Sequence, residues 1–92
     1  MTLKELSFFY RLCEEPHFSK TAQKLNITQS ALSLAIKSLE HDIGEPLFDR
    51  IGKKLVLSET GRLFKELTYH AFTALLEAQS LFSGNALLGI LK

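Results

Sequence analysis

Side chains suited to hydrogen-bonded recognition are concentrated in the segment 28–43, "TQSALSLAIKSLEHDI". Its larger apolar residues recur at steps of four, three and four, which predicts one buried stripe on a helix. These are Leu32, Ile36, Leu39 and Ile43. At about 100° per residue, the opposite face presents Ser30, Ser33, Leu34 and Lys37. Because this face is thin and mostly uncharged, we expect it to fit closely against a polar partner.

The other reactive side chains do not form a catalytic or metal-binding set. Cys13 lies on the apolar side of the first predicted helix, which is typical of a buried hydrophobic residue and not of a nucleophile. His17, His41 and His70 are far apart in sequence and show no metal-ligand spacing. We therefore expect no enzyme activity, no cofactor and no metal.

The composition bounds the chain to one small domain with a helical extension. Its 92 residues are 46% hydrophobic and 23% charged, as in globular proteins. The net charge of +1 does not by itself indicate a nucleic-acid partner. The single cysteine agrees with a reducing compartment. Without a membrane-spanning run or a secretory signal pattern, the sequence predicts a cytoplasmic location and no membrane association.

Local signals divide residues 1–43 into three helices. Thr2 and Glu5 have the spacing of a capping box, and the proline at position 16 should end this first helix near Glu14. "HFSKTAQKL" predicts a short second helix capped by His17 or Ser19. "NIT" is a tight turn, after which the threonine at position 28 caps the third helix.

The remaining segments predict a hairpin and one long helix. Gly44 should end the third helix, and "LFDRIGKKLVL" reads as two short strands joined through Gly52. Ser58 is a helix cap, after which a helix should run from Glu59 to about Phe82. A short helix, a tight turn and a longer helix form the helix-turn-helix unit. In that unit the second helix enters the major groove of double-stranded DNA, which would explain the thin polar face.

These residues resemble the LysR-type transcriptional regulators over residues 3–64. The matching pieces are "L..FY.L", "F..TA..L.ITQSALS..I..LE", "IG.PLF.R" and "L.LSETG", in this order. The resemblance implies a mainly α fold, with a winged helix-turn-helix in residues 1–58 (three helices and a β-hairpin wing) and a long dimerisation helix in 59–82. Residues 83–92 would be a hinge and the start of a missing domain that binds a small-molecule effector. Similar proteins are bacterial, usually tetrameric, and regulate transcription at interrupted palindromes.

The resemblance also implies which residues contact DNA. Residues from the recognition helix and its cap would meet bases or nearby phosphates, and basic residues of the wing and second helix would meet the backbone. The full set is Lys20, Thr28, Gln29, Ser30, Ser33, Leu34, Lys37, Arg50, Lys53 and Lys54. Leu34 and Ala35 stand where relatives often have Arg and Gln, which removes polar base contacts and leaves an apolar one.

The long helix carries an aliphatic stripe that could rest on the domain itself or on a second copy. Its members are Phe64, Leu67, Ala71, Ala74, Leu75, Ala78 and Leu81. Because a helix of about 35 Å extends beyond so small a domain, we expect a homodimer through this stripe, paired antiparallel as in the family.

Several alternatives stay open at this point. Thr28 could act only as a cap, Lys37 only as a surface residue, and Arg50 could pair with Asp49 or Glu45. The Lys53–Lys54 pair could simply solubilise the hairpin. A different function would be a winged-helix module that binds protein through Leu34 and the neighbouring alanine. Salt distinguishes the two functions, because phosphate binding weakens steeply as salt rises.

Overall fold

A computed structural model describes residues 1–82, which form four helices and one two-stranded sheet. The elements follow in the order α1 (Leu3–Glu14), α2 (Phe18–Leu25), α3 (Gln29–Ile43), β1 (Phe48–Ile51), β2 (Lys54–Leu57) and α4 (Glu59–Phe82). The predicted fold class, a mainly α winged helix-turn-helix followed by a long helix, is confirmed. The predicted hinge at 83–92 lies outside the described residues.

Side-chain caps fix where the first three helices begin. In α1 the N–H of Glu5 donates to Thr2 Oγ1 at 3.0 Å, and the N–H of Thr2 donates to Glu5 Oε1 at 3.2 Å. The cap of α2 is His17, whose Nδ1 accepts from the N–H of Lys20 at 3.3 Å. Thr28 Oγ1 accepts from the N–H of Ala31 at 3.0 Å and caps α3. Each cap satisfies a backbone donor that the first helical turn leaves unpaired.

α2 and α3 each end at a residue whose backbone is in the left-handed conformation. Asn26, with φ 57°, closes α2 and turns the chain within a few residues into α3. Gly44, with φ 91°, ends α3 as predicted, and its N–H donates to the carbonyl of Glu40 at 2.7 Å. The side chain of Glu40 then accepts from the N–H of Leu47 at 2.7 Å, which ties the end of α3 to the approach to the wing.

The core lies where α1, α3 and the root of the wing meet. Its fully buried side chains come from all three of these parts, and they are Phe9, Leu12, Leu32, Leu39 and Leu47. Phe9 also makes edge contacts with Phe48 of the wing at 5.7 Å and Phe64 of α4 at 5.4 Å between ring centroids. One aromatic side chain therefore links three elements of the fold, α1, β1 and α4.

The wing is an antiparallel hairpin whose root is bonded to the start of α4. Its register pairs Phe48 with Leu57 and Ile51 with Lys54, and Gly52 makes the turn with φ 64°. At the root, Ser58 Oγ accepts from the N–H of Gly61 at 2.9 Å and donates to the carbonyl of the proline at position 46 at 2.7 Å. A Cβ on Gly61 would lie 2.1 Å from the carbonyl oxygen of the residue preceding Phe48, so only glycine fits there.

One residue of the predicted stripe of α4 also contacts its own domain. Phe64 packs against the core of its own chain, on the face that also buries Phe72 against Tyr10 at 4.4 Å between ring centroids. The aliphatic side chains of the remaining stripe are exposed; for example, Leu67 is 74% and Leu75 is 52% accessible. On a 3.6-residue repeat, the residues that pack on the domain and the exposed residues of the stripe fall in one broad apolar arc. The sequence pattern alone therefore does not distinguish the two groups.

Candidate nucleic-acid interface

The outward face of α3 is built as the sequence predicted. Leu32, Ile36 and Leu39 are buried. On the other side of the helix, four of the predicted contact residues line one shallow hollow, and they are Gln29, Ser30, Ser33 and Leu34. Gln29, Ser30 and Leu34 are exposed, whereas Ser33 is half-buried. The side chains at the start of this helix are thus presented together and ready to contact a partner.

Thr28 is a helix cap, as its spacing predicted. Its hydroxyl oxygen accepts the N–H of Ala31, and its carbonyl accepts the N–H of Leu32 at 3.1 Å. The side chain is nevertheless exposed. A phosphate contact by Thr28 stays a prediction alongside the capping role.

The wing and α2 approach the start of α3 and enclose a small hollow of about 110 Å³. Gln29 of α3 lines it together with Arg50 and Lys53 of the wing. His17 and Ser19, at the start of α2, also line it. Lys20 and Lys54 do not line it. The structure therefore brings the predicted base-reading glutamine and two predicted phosphate-binding cations to one place.

The five predicted DNA-contacting cations have no ion pair within the described part of the chain. They are Lys20, Lys37, Arg50, Lys53 and Lys54, all exposed. In particular, among residues 1–82, Arg50 does not pair with Asp49 or Glu45 within 4.0 Å. This arrangement leaves all five positive charges available to an anionic partner.

Carboxylates elsewhere in the domain bind cations of their own chain. Lys24 bonds to Glu15 and lowers the pKa of that carboxyl group. The N-terminal ammonium bonds to Asp42 and lowers its pKa, while the same hydrogen bond raises the pKa of the ammonium. These pairs neutralise acids that would otherwise repel phosphate.

Sequence reasoning missed two residues near this surface. His17 is not among the predicted DNA-contacting residues, although it lines the hollow beside Gln29 and Arg50. Ile51, next to the wing turn, is 66% exposed. The sequence position of Ile51, next to the predicted turn glycine, could have predicted this exposure, because side chains at a hairpin tip have few neighbours to pack against.

The alternative catalytic residues have ordinary structural surroundings. Cys13 is half-buried against the core, and burial raises the pKa of its thiol to about 11, which disfavours the reactive thiolate. Within residues 1–82, the histidine, cysteine and carboxylate side chains include no group of three placed to hold a metal. Over the same range, no helix has the length and hydropathy needed to cross a membrane.

Comparison with known sequences identifies relatives of this region. The family model for bacterial regulatory helix-turn-helix proteins of the lysR family matches residues 3–62. The chain is 49% identical over 65 residues to an uncharacterized HTH-type transcriptional regulator, YwqM, of Bacillus subtilis. This match covers 71% of the chain but 22% of YwqM, so the chain spans about a fifth of the length of that relative.

Two similar solved structures contain DNA. The DNA-binding domain of BenM, solved in complex with catB site 1 DNA, superposes with a TM-score of 0.78 at 30% identity, covering 87% of this chain and 86% of that one. Vibrio fischeri DarR, also solved in complex with DNA, superposes with a TM-score of 0.80 at 31% identity, covering 90% of this chain and 28% of DarR.

Proposed function

Because the chain belongs to the lysR family of bacterial regulatory helix-turn-helix proteins, we propose that it is the sequence-specific DNA-binding part of a transcriptional regulator. It has no catalytic role of its own. α3 enters the major groove with Gln29, Ser30, Ser33 and Leu34 towards the base edges. Lys20, Arg50, Lys53 and Lys54 neutralise phosphates on either side.

The observation that carries this proposal is the hollow shared by Gln29, Arg50 and Lys53. A helix that reads bases must be held in register by backbone contacts, since phosphate contacts orient the protein and base contacts specify the site. Here the first residue of α3 lies around the same small space as two wing cations that have no ion pair among residues 1–82. One docking event can therefore place Gln29 in the groove while the wing reaches the adjacent backbone.

The protein-binding alternative is less well supported. Its apolar patch would need both Leu34 and Ala35, but Ala35 is half-buried and only Leu34 projects fully, at 68% exposure. A single exposed leucine is far smaller than the apolar area of a stable protein interface. The similarity to proteins that have been solved on DNA also favours DNA as the partner.

Dimerisation through α4 belongs to the same proposal. Apart from Phe64, the predicted interface residues are exposed on the described chain, and they are Leu67, Ala71, Ala74, Leu75, Ala78 and Leu81. Burying this stripe against a second copy relates two α3 helices by a twofold axis, so that they read the two halves of an interrupted palindrome. In the longer protein we expect tetramers in the cytoplasm, controlled by a small molecule that binds a further domain.

Affinity selection from random duplexes tests the proposal. The purified 92-residue chain is incubated with the duplex pool at low salt, and the bound DNA is sequenced after several rounds. We expect enrichment of an interrupted palindrome. A folded dimer that recovers no motif, and whose residual binding does not weaken with salt, would refute DNA binding and restore the protein-binding alternative.

A further inference from the structure

An apolar side chain projects outward from the first half of the recognition helix. At about 100° per residue, Leu34 lies about 170° from the mean direction of the buried Leu32, Ile36 and Leu39. It is 68% exposed and does not belong to the hydrophobic residues packed on the core. Exposed leucines are common on protein surfaces and mean little by themselves. Leu34 is unusual because of its position, at the centre of the face that meets a partner.

Among the described residues, the neighbours of Leu34 do not bury it within its own chain. It shares its hollow with Gln29, Ser30 and Ser33, which are polar. The wing residues Arg50 and Lys53 line a different hollow, so the wing does not cover this leucine. Among residues 1–82 nothing covers Leu34, which leaves it accessible to a molecule that docks on α3.

A leucine cannot use the hydrogen-bond code of the major groove, because it has neither donor nor acceptor. The apolar group that the four bases display there is the C5-methyl of thymine. Cytosine has a hydrogen at the same carbon, while 5-methylcytosine has the same methyl as thymine. Resting on the proposed function, we propose that Leu34 selects thymine at one position of each half-site by packing on this methyl group.

The chemistry of the hollow separates two ways of reading DNA. The amide of Gln29 can donate one hydrogen bond and accept another in one plane, which suits adenine. The hydroxyls of Ser30 and Ser33 can either donate or accept, so they fit more than one base. Leu34 contributes only shape and apolar area, so it distinguishes bases by the presence of one methyl. Burying one such group contributes about 0.8 kcal/mol, which is about fourfold in affinity for one half-site. Two half-sites in a dimeric complex then give about fifteenfold.

Base analogues test this contact without altering the protein. A duplex with the selected palindrome is made with each symmetry-related pair of thymines replaced in turn by uracil, which removes both methyls and keeps every hydrogen-bonding group. Affinity is measured by fluorescence anisotropy with the 92-residue chain. We expect one symmetric pair of thymines at which uracil weakens binding about fifteenfold, whereas uracil elsewhere changes it less than twofold.

Two variants test whether the preference for thymine over uracil comes from the side chain of Leu34. Leu34→Ala should bind thymine and uracil duplexes equally, because alanine is too short to reach the methyl. The matched control Leu63→Ala, which shortens an exposed leucine of α4, should keep the full thymine preference. Both changes replace an exposed leucine with a good helix former, so both variants should fold.

Duplexes with cytosine or 5-methylcytosine at the sensitive position test whether the methyl group itself is recognised. With cytosine at the sensitive position, binding should weaken, and 5-methylcytosine should restore about fourfold per half-site. An effect of 5-methylcytosine without any effect of uracil would overturn thymine as the ligand. A thymine preference that persists in Leu34→Ala, no thymine preference at all, or a selected half-site without thymine would overturn the inference while leaving DNA binding intact. Failure of selection itself would refute the proposed function.

Discussion

Lys53→Ala should reduce the salt dependence of DNA binding and leave sequence preference nearly unchanged. The five predicted DNA-contacting cations have no ion pair among residues 1–82, and as a set they can neutralise at most five phosphates per chain and ten per dimer. At about −0.9 per phosphate, log K should fall with log salt at a slope of up to about −9. Removing one contact per chain brings the slope to about −7. Between 50 and 200 mM salt, affinity should then fall about 10⁴-fold instead of about 10⁵-fold.

Gln29→Ala should have the opposite effect. The side chain at the first position of α3 is not the helix cap, so its removal leaves the fold unchanged. Losing a bidentate contact to adenine costs about 1–3 kcal/mol, or about 5- to 150-fold in affinity, for each half-site, and the loss is squared over the two halves of the selected site. Binding to unrelated DNA, and the salt slope, should stay as in the wild type because no charge is lost.

The assay is fluorescence anisotropy on the selected palindrome and on a scrambled duplex at several salt concentrations. Lys4→Ala is a matched control for charge, because Lys4 lies over the ring of Phe8, outside the predicted surface. Gln23→Ala is a matched control for the amide, on the exposed side of α2. Equal loss of specific and nonspecific binding by Lys53→Ala and Gln29→Ala, with equal change in slope, would refute the division between backbone and base contacts.

Three further variants or reactions test the fold and the assembly. Gly61→Ala should lower the free energy of unfolding by about 1–3 kcal/mol in urea titrations, since the added carbon would lie 2.1 Å from the carbonyl oxygen of Leu47; unchanged stability would contradict this close approach. Leu75→Glu should be monomeric in sedimentation equilibrium at concentrations where the wild type is dimeric, because it places charge in the predicted interface; an intact dimer would exclude this face. The pKa of the Cys13 thiol is raised from 9.0 to about 11. At pH 8 this thiol should therefore react with iodoacetamide about a hundredfold more slowly in the native chain than in urea, and the native rate should rise as pH increases towards 11. Equal rates in the native chain and in urea would contradict the burial of Cys13.

Local sequence signals predicted the boundaries of the helices well. The Thr2–Glu5 capping box, the Thr28 cap and the Gly44 stop each depend on hydrogen bonds or dihedral angles within a few residues. Such interactions have the same geometry in any fold, so their spacing is sufficient to identify them. The cap of α2 was less certain, because both His17 and Ser19 are within reach of the first turn. The structure selects His17, whose backbone is extended at φ −153°.

Features that depend on packing could not be read from spacing. Phe64 and Leu67 fall in one apolar arc of α4, yet the first contacts Phe9 and the second is exposed. The start of α4 is tied to the wing root by the hydroxyl of Ser58, which donates to the carbonyl of the residue at position 46, and a bond over this separation has no local sequence signal. The same root also places Arg50 beside the start of α3, an arrangement that the sequence alone did not reveal.

The near-neutral net charge illustrates why composition was a poor guide to the partner. Residues 1–58 contain eight basic and seven acidic side chains. Five of the acids are engaged within the chain, by a backbone N–H or by a cation, and they are Glu5, Glu14, Glu15, Glu40 and Asp42. Of the eight cations, Arg11 and Lys24 are in ion pairs and Lys4 lies on an aromatic ring.

The five cations left over are those on α3, at the start of α2 and on the wing. A DNA backbone that approaches α3 therefore meets unpaired positive charge, although the sum over the domain is close to zero. Because exposed charges are screened over about 10 Å at 0.1 M salt, the local arrangement determines attraction and the distant ion pairs contribute little. Reversing the charge of a paired acid such as Glu14 should consequently change DNA affinity far less than removing Lys53, although both alter the net charge of the chain.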